Sequence, residues 1–312
     1  MGCTRYGGRP KAGACEFCIL LWKTRRHGLF RNKKGGLLKR EQKVRFIRYP
    51  GGKQRLLSYL MPHLPTRESI KGVYVEPFVG GGAVFLALEP QKALLADINP
   101  VLIDLYRGLR AYPKIVWKIF KSFPHTKKGY YKIRDTKERD DLAYRAARTL
   151  YLNRTCFKGM WRENADGEFN VGYGGQERRW VISQNTLSSV ARSLRRAKLV
   201  ISDFEEVIGS CSKEDFLFLD PPYRPGEREL QHEHYVYSKF YYDDHKRLAN
   251  SLKMATKRGV RWAMTTSNHK DIVSLFHGCH IVALTIGTGN RPGLLTNNSS
   301  EVLIRNYEET SQ

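Results

Sequence analysis

Long apolar runs are absent from this 312-residue sequence. No stretch approaches the roughly 20 apolar residues that a membrane helix needs. The basic N-terminus also lacks the continuous apolar segment of a secretory signal. We therefore expect a cytoplasmic protein with no membrane partner. The length is enough for one large domain or two modest ones.

Cysteines are few and scattered, six in all. Without an export signal they are expected to be reduced thiols. Three lie near the N-terminus with a histidine, but their spacing matches no standard zinc finger, so a four-ligand zinc site is the less favoured interpretation. We expect no metal to take part in the chemistry. The candidate zinc ligands are Cys3, Cys15, Cys18 and His27.

Acidic residues are also scarce. Asp and Glu total 30 against 54 Lys and Arg, which gives a formal net charge of +24. An excess of this size is typical of proteins that bind polyanions, and nucleic acid is the commonest of these. Residues 1–44 hold 12 Lys and Arg against two Glu. We therefore expect a basic N-terminal extension that adds affinity for phosphates.

Short β-rich runs alternate with helical patterns along the rest of the chain. Five of them are nearly continuous in hydrophobicity, which is typical of parallel strands buried on both faces. The alternation predicts a doubly wound, Rossmann-like α/β sheet. Two further runs near the C-terminus, joined without a helix, are expected to pair antiparallel at one edge. The five runs are residues 73–78, 92–98, 198–204, 216–220 and 260–267.

One long segment interrupts this alternation. Residues 106–196 are helical and polar in pattern and too long for a simple crossover, so they predict an inserted, mainly helical subdomain. Basic residues alternate there with aromatic ones, which favours contact with nucleic acid, although the same aromatics also suit the insertion's own core. The expected division is an extension (1–44), a sheet domain (45–105 and 197–312) and the insertion (106–196).

The motif EPFVGGGAV, residues 76–84, places three glycines between a predicted strand and a predicted helix. Glycine permits a tight turn and lets a ligand approach the backbone. The dinucleotide fingerprint requires a further glycine where Phe85 stands, so a phosphate site is poorly supported. Asp97, which closes the next strand, is placed to hold a ribose hydroxyl pair. Together these features favour an adenosine-containing cofactor over the alternative of an ordinary tight turn.

A second motif, DPPY, closes an apolar strand at residues 220–223. An exocyclic amine on a nucleobase is a weak nucleophile because its lone pair is delocalised into the ring. A carboxylate and a rigidly held carbonyl that accept its N–H bonds would localise that lone pair, and the base must leave the duplex to reach them. The acid, the rigid turn and a ring to stack on the base are Asp220, Pro221, Pro222 and Tyr223.

From about residue 44 to residue 307 the sequence resembles the Dam-type, D12 class (alpha group) DNA adenine-N6 methyltransferases. The resemblance rests on RYPGGK, VEPFVGGGAVF, LADIN, LNRTCFKGMWRENADGEFNVGYG, DPPY and TTSN, in the order found in that family. It implies methyl transfer from S-adenosylmethionine to adenine N6 in double-stranded DNA. It further implies that the sheet domain is catalytic and that the insertion recognises the DNA target.

The resemblance also implies residue roles. Lys158 and Met160 stand where the family usually has Asn and Leu, so GATC and a related recognition sequence both stay open. Arg162 aligns with an arginine that reads a base in GATC-type relatives, consistent with bidentate contact to guanine. The implied cofactor contacts are Tyr49, Lys53, Glu76, Phe78, Gly80, Gly82, Asp97, Asp203 and Asp220, and the implied DNA contacts are Arg48, Lys158, Arg162 and Asn170.

Two alternatives remain from the sequence. Cytosine-N4 methylation poses the same chemical problem, and a non-catalytic DNA-binding protein of the same fold belongs to another class. The expected partner is double-stranded DNA, together with a cognate restriction endonuclease if the chain is one half of a restriction–modification pair. We expect a monomer or a weak dimer on DNA.

Overall fold

The computed structural model divides the chain into two compact units, Met1–Lys43 and Val44–Gln312. In the first unit, strands β1 (Leu29–Arg31) and β2 (Leu37–Lys39) pair antiparallel. The four candidate zinc ligands of that unit lie outside the described residues. The structure describes residues 29–31, 37–39, 46–49, 51–136, 140–162, 164, 167–175, 182–223, 240–284 and 301–308.

A seven-stranded sheet is the centre of the second unit, in the order β5-β4-β3-β6-β7-β9-β8. The first five of these strands run parallel, and β9 runs antiparallel to both β7 and β8. The predicted α/β sheet with an antiparallel edge pair is confirmed. The strands are β3 (Tyr74–Glu76), β4 (Ala93–Asp97), β5 (Ala197–Ile201), β6 (Phe216–Leu219), β7 (Arg261–Ser267), β8 (His280–Leu284) and β9 (Glu301–Arg305).

Both faces of the sheet are covered, which explains the continuous apolar runs. Along β6, Phe216 and Phe218 belong to one hydrophobic cluster, and Leu217 and Leu219 belong to the other. Successive side chains of a strand point to opposite faces, so a strand between two cores must be apolar throughout. All four residues of β6 are buried.

Ten helices are described around this sheet, and several begin at a capping side chain. Asn99, for example, accepts hydrogen bonds from the backbone N–H groups of Val101 and Leu102, and Pro100 follows at the first helical position, as expected for a helix start. The helices are α1 (Leu57–Leu60), α2 (Ala83–Leu88), α3 (Pro100–Ala111), α4 (Pro113–Ser122), α5 (Lys127–Arg134), α6 (Leu142–Thr155), α7 (Gln184–Leu194), α8 (Phe204–Gly209), α9 (Tyr242–Lys257) and α10 (Lys270–Val273).

The segment between β4 and β5 contains helices α3 to α7, in keeping with its helical pattern. Helices α3 and α6 are in close contact, because a Cβ added at Gly108 would lie 2.5 Å from the Cβ of Ala146. Leu150 of α6 and Leu187 of α7 share one hydrophobic cluster with Leu95 of β4. The insertion therefore packs on the sheet through a common core, and its separate status as a subdomain stays a prediction. Within the described ranges, no helix is long and apolar enough to cross a membrane.

Candidate active site

The DPPY turn lies at the carboxyl end of β6, a strand in the middle of the sheet. The strand stops there because Pro221 and Pro222 lack the N–H group that a ladder requires. Asp220 is 21% exposed at this edge, in contrast to the fully buried strand before it. Ligands of open α/β sheets bind outside the carboxyl ends of the strands, so this carboxylate stands where a substrate is expected.

Two donors converge on the carboxylate of Asp220. The Lys53 ammonium lies 2.7 Å from its Oδ1 atom, and the Thr265 hydroxyl donates to the same oxygen at 2.8 Å. Lys53 is only 3% exposed, and its ammonium also donates to the carbonyl of Gly51 at 2.6 Å. These contacts fix the orientation of the carboxylate from two sides, one from the segment before α1 and one from β7.

The ring of Tyr223 lies on the same side of the site. Its centroid is 4.8 Å from the Lys53 ammonium, a distance at which a cation is attracted to an aromatic face. Its hydroxyl donates to Oε2 of Glu301 at 3.3 Å. Burial, followed by the nearby charges of Asp220 and Glu301, raises the pKa of Tyr223 well above its ordinary value. The phenol therefore stays protonated and keeps its hydrogen to donate.

The glycine turn after β3 has the conformation that its sequence predicts. Gly80 and Gly82 have φ values of 44° and 59°, in the left-handed region that glycine enters without steric cost. A Cβ at position 80 would lie 3.1 Å from the Cδ1 atom of Tyr49, so the aromatic ring packs directly on the turn. The Tyr106 hydroxyl donates to the Gly80 carbonyl at 2.7 Å and holds the turn from α3.

Asp97 at the end of β4 is joined to that turn. Its Oδ2 accepts the backbone N–H of Gly80 at 3.1 Å, and its Oδ1 accepts that of Asn99 at 3.0 Å. Burial raises the pKa of Asp97 to about 6, although these two bonds favour the ionised form. Ile98 beside it is 66% exposed. An acid and an exposed apolar side chain thus stand next to each other at the edge of the sheet.

Glu76 has a different setting from the other predicted cofactor residues. Its carboxylate is buried, accepts the hydroxyl of Tyr74, and accepts the backbone N–H of Phe85 at 3.0 Å. Burial raises the pKa of Glu76 to about 8, against the opposite effect of these two bonds. The contacts tie the end of β3 to the first turn of α2, so Glu76 braces the glycine turn. Direct contact between Glu76 and a cofactor stays a prediction.

Phe78 and Asp203 lie on the other side of the turn. The ring of Phe78 is stacked on that of Phe204 with 5.4 Å between centroids, and Phe240 lies 5.8 Å from Phe78. Asp203 begins α8, accepting the backbone N–H of Glu205 at 2.9 Å. Its carboxylate also forms an ion pair with Arg247 at 3.1 Å. This aromatic and acidic group extends the site from β3 toward β5.

The predicted DNA contacts form two pairs. Asn153 of α6 holds the main chain of Arg48 by accepting its N–H at 2.7 Å and donating to its carbonyl at 2.5 Å. Gly159 packs against the Arg48 side chain, since a Cβ there would lie 2.5 Å from its Cδ atom. Lys158 precedes it with a φ of 54°. The insertion (106–196), called the recognition segment below after its predicted role, is therefore attached directly to the segment that carries Tyr49 and Lys53.

Arg162 and Asn170 form the second pair. The Arg162 Nε donates to Oδ1 of Asn170 at 2.8 Å, and the Asn170 backbone N–H donates to the Arg162 carbonyl at 3.0 Å. The rings of Trp161 and Phe169 lie beside them, 4.7 Å apart. These contacts hold Arg162 and Asn170 next to each other, so the two predicted DNA contacts are presented together.

Two residues of the site were assigned no function from the sequence. Thr265 lies in the TTSN motif, which contributed to the family resemblance but predicted no function for this residue. Glu301 opens the last strand and gave no signal, because only the antiparallel pairing of β9 with β7 brings it to the site. Among the described residues, no group of His, Cys, Asp and Glu could hold a metal ion.

This combination is typical of an enzyme that transfers a group to a nucleobase amine: an oriented carboxylate at the sheet edge, a glycine turn and a DPPY turn. A family model for the D12 class N6 adenine-specific DNA methyltransferases matches residues 49–285. The chain belongs to this family, and it is an adenine-specific DNA methyltransferase.

Individual relatives agree with this assignment. A Type II methyltransferase of Methanocaldococcus jannaschii is 32% identical over 76% of this chain and 89% of its own length. A DNA adenine methylase of Vibrio cholerae is 33% identical over 72% of this chain and 80% of its own. Among solved structures, the rRNA methyltransferase AviRa of Streptomyces viridochromogenes covers 84% of this chain and 89% of its own at 13% identity. Its TM-score of 0.39 is a distant similarity.

Proposed function

We propose that the chain transfers a methyl group from S-adenosylmethionine to N6 of an adenine flipped out of double-stranded DNA. The observation that carries this proposal is the group formed by Asp220, Lys53, Thr265 and Tyr223 at the carboxyl end of β6. It combines an oriented carboxylate and an aromatic ring at the mouth of a rigid turn. These are the parts that methylation of an exocyclic amine requires.

The residues around the glycine turn fit the methyl donor. Because Gly80 has no Cβ, the Tyr49 ring can pack directly on the turn, and no side chain of Gly80 obstructs a ligand that approaches the main chain. Asp97 has lone pairs for ribose hydroxyls beyond the two backbone bonds it accepts, and the exposed Ile98 offers apolar surface to an adenine ring. S-adenosylmethionine supplies an already activated methyl group on its sulfonium, so the protein's part is to bind and orient it.

Asp220 and the following turn act on the target base. The carboxylate accepts one N–H of the adenine amine, and the main-chain carbonyl of the Pro-Pro segment accepts the other. Both bonds would draw the nitrogen toward tetrahedral geometry and localise the lone pair that forms the new N–C bond. The bond from the methyl carbon to sulfur would break as that bond forms, leaving a neutral thioether, and the surplus N–H proton would pass to solvent. Tyr223 stacks on the flipped ring. Holding the amine in line with the methyl group supplies much of the rate enhancement, because the entropy of orienting the two reactants is lost on binding and not in the transition state.

The second pair of DNA contacts suits the reading of sequence. Arginine makes bidentate bonds to guanine in the major groove, and the bond that the Arg162 Nε donates to Oδ1 of Asn170 holds the guanidinium in a defined direction. We propose that Arg48 and Lys158 contact phosphates, which position the duplex without reading it. We propose a short guanine-containing target, of which GATC is one example.

The setting of the reaction follows from its substrates. Because DNA and S-adenosylmethionine meet in the cytoplasm, we propose that the chain works there, as a monomer or a weak dimer on DNA. The relatives include a Type II methyltransferase and a DNA adenine methylase. A cognate endonuclease that cleaves the same unmethylated site would place the chain in a restriction–modification pair, and its absence would make it a solitary methylase.

The test is mass spectrometry and methylation-sensitive sequencing of DNA from cells that express the chain, with Asp220→Ala as the control. N6-methyladenine at one short motif, absent from the control, is the expected result. DNA affinity measured by fluorescence anisotropy should be largely retained in the control, because phosphate contacts supply most of it. A mark on cytosine N4, or an active Asp220→Ala protein, would overturn the proposal.

A further inference from the structure

Glu301 lies close to the site without any role in the chemistry described above. It is the first residue of β9 and pairs with Ser267 of β7, while Thr265 pairs with Leu303. Residues directly opposite one another in a pair of strands share a face, and so do residues two positions apart. Glu301 is therefore on the same face as Thr265, whose hydroxyl binds Asp220, and nearer the carboxyl end of β7.

The carboxylate of Glu301 contacts the far end of the Tyr223 side chain. The phenol hydroxyl donates to its Oε2 at 3.3 Å, a contact between residues 78 positions apart in the sequence. The two prolines before Tyr223 have fixed φ angles of their own, so the chain that leads to Tyr223 is stiff. The phenol oxygen lies on the long axis of the ring, so holding it fixes the direction in which the ring points. Because the O–H group prefers to lie in the ring plane, a single acceptor also favours one orientation of that plane.

The charges around Glu301 belong to the active site. Burial raises the pKa of Glu301, the Lys53 ammonium lowers it, and the Asp220 carboxylate raises it. Asp220 contacts Lys53, Lys53 lies against the Tyr223 ring and the Tyr223 hydroxyl contacts Glu301, so the four side chains form one connected group.

We propose that Glu301 is a positioning residue for methyl transfer, holding the Tyr223 ring at the angle at which it stacks on the flipped adenine. This inference depends on the stacking role of Tyr223 proposed above. Glu301 acts through Tyr223 and does not touch the base or the methyl donor. Its loss reduces kcat more than it weakens DNA binding, because the phosphate contacts lie elsewhere.

The variants separate the hydrogen bond from the charge. Glu301→Leu removes the acceptor, Tyr223→Phe removes the donor, and Glu301→Gln keeps an acceptor without the charge. We expect kcat to fall about tenfold in Glu301→Leu, because the loss of one hydrogen bond to a charged acceptor raises the barrier by an amount that corresponds to about this factor. Glu301→Gln should recover to within about threefold of the wild type, since a neutral bond is roughly half as strong. Glu308→Leu, the same change at an exposed position, is the matched control and should retain wild-type kcat.

The decisive measurement is the double variant Glu301→Leu/Tyr223→Phe. If the two side chains act as one unit, its kcat equals that of Tyr223→Phe alone. A DNA duplex with 2-aminopurine at the target position gives a second readout, because stacking on an aromatic ring quenches its fluorescence. The intensity should rise in Glu301→Leu relative to the wild type, while the Kd for DNA changes less than about threefold.

Two results would overturn the inference. One is a wild-type kcat and wild-type 2-aminopurine intensity in Glu301→Leu. The other is a kcat of the double variant that falls below that of Tyr223→Phe by the same factor as Glu301→Leu falls below the wild type. That result would show that Glu301 acts independently of Tyr223. If Glu301→Leu does not fold, Tyr223→Phe tests the same bond from the donor side, and a wild-type kcat and 2-aminopurine intensity in that variant would overturn the inference. A wild-type protein that makes no N6-methyladenine would instead remove the proposed function itself.

Discussion

The ion pair between Lys53 and Asp220 provides a test of the site that does not require substrate. Its two members differ in exposure, with Lys53 at 3% and Asp220 at 21%. Removing the negative charge by Asp220→Asn leaves a buried ammonium that keeps neutral acceptors, the Gly51 carbonyl and the amide oxygen of the new side chain, but loses this ion pair. Removing the cation by Lys53→Met leaves a carboxylate that water reaches and that Thr265 still contacts. We therefore expect Asp220→Asn to be the more destabilising change.

The magnitude follows from the geometry. Two unit charges 2.7 Å apart attract by about 6 kcal/mol at an effective dielectric constant near 20. The cost of removing both groups from water offsets most of this attraction. Breaking a fully buried pair costs about 3–5 kcal/mol, and the partial exposure of Asp220 reduces this to about 2 kcal/mol for Asp220→Asn. For Lys53→Met we expect less than about 1 kcal/mol, because no buried charge is left behind.

The assay is urea unfolding of the wild type, both single variants and the double variant. Because the cost in Asp220→Asn comes from the unpaired ammonium, the double variant should be about as stable as Lys53→Met alone, with a coupling of about 1–2 kcal/mol. Additive effects would refute the reasoning, as would a larger loss in Lys53→Met than in Asp220→Asn. Either result would mean that Lys53 is better solvated than its burial indicates.

Three further predictions concern the glycine turn, its brace and the recognition segment. The pKa of Glu76 is raised from 4.5 to about 8, so its stabilising effect is complete below pH 4.5 and is lost as the pH rises through 8. In the wild type, Glu76 should make the free energy of unfolding fall by up to about 1.4 kcal/mol per pH unit over this window, and Glu76→Gln should abolish that contribution. The same pH dependence of the unfolding free energy in both proteins, measured by urea unfolding, would contradict this. Gly80→Ala should cost about 1 kcal/mol of backbone strain and weaken S-adenosylmethionine binding in calorimetry by displacing Tyr49. The control Gly81→Ala should bind normally, because its Cβ would lie 3.5 Å from Tyr49 in ordinary contact, and equal losses in both variants would count against this reasoning. Arg162→Ala should reduce the discrimination against the wrong base pair at one position of the target by about 1–3 kcal/mol. If sequencing shows an unchanged site preference and DNA affinity falls equally for all sequences, Arg162 does not read a base.

The strands and their closing acids were predictable because their signals are local. A strand between two cores is apolar at every position, and β6 shows this in Phe216–Leu219. Proline cannot continue a ladder, so the position of Asp220 at the strand end follows from the two residues after it. The turn at Gly80 was likewise predictable, since its conformation excludes most side chains.

The recognition segment was predicted only in part. Its helical character follows from periodicity, but the pattern does not indicate that Asn153 holds the main chain of Arg48 from 105 residues away. That bond joins the recognition segment to the segment carrying Tyr49 and Lys53. The helices also share a core with the sheet, which a composition-based division into domains does not reveal.

Sequence by itself determined the fold class, the family and the chemical parts of the site, because strand burial, turn residues and motif order are properties of short segments. The tertiary structure alone decided which parts meet: Lys53 with Asp220, and Glu301 with Tyr223. These contacts depend on the strand order that places β6 beside β7 and β7 beside β9. Strand order is set by the packing of the whole chain, and no short segment carries a signal for it.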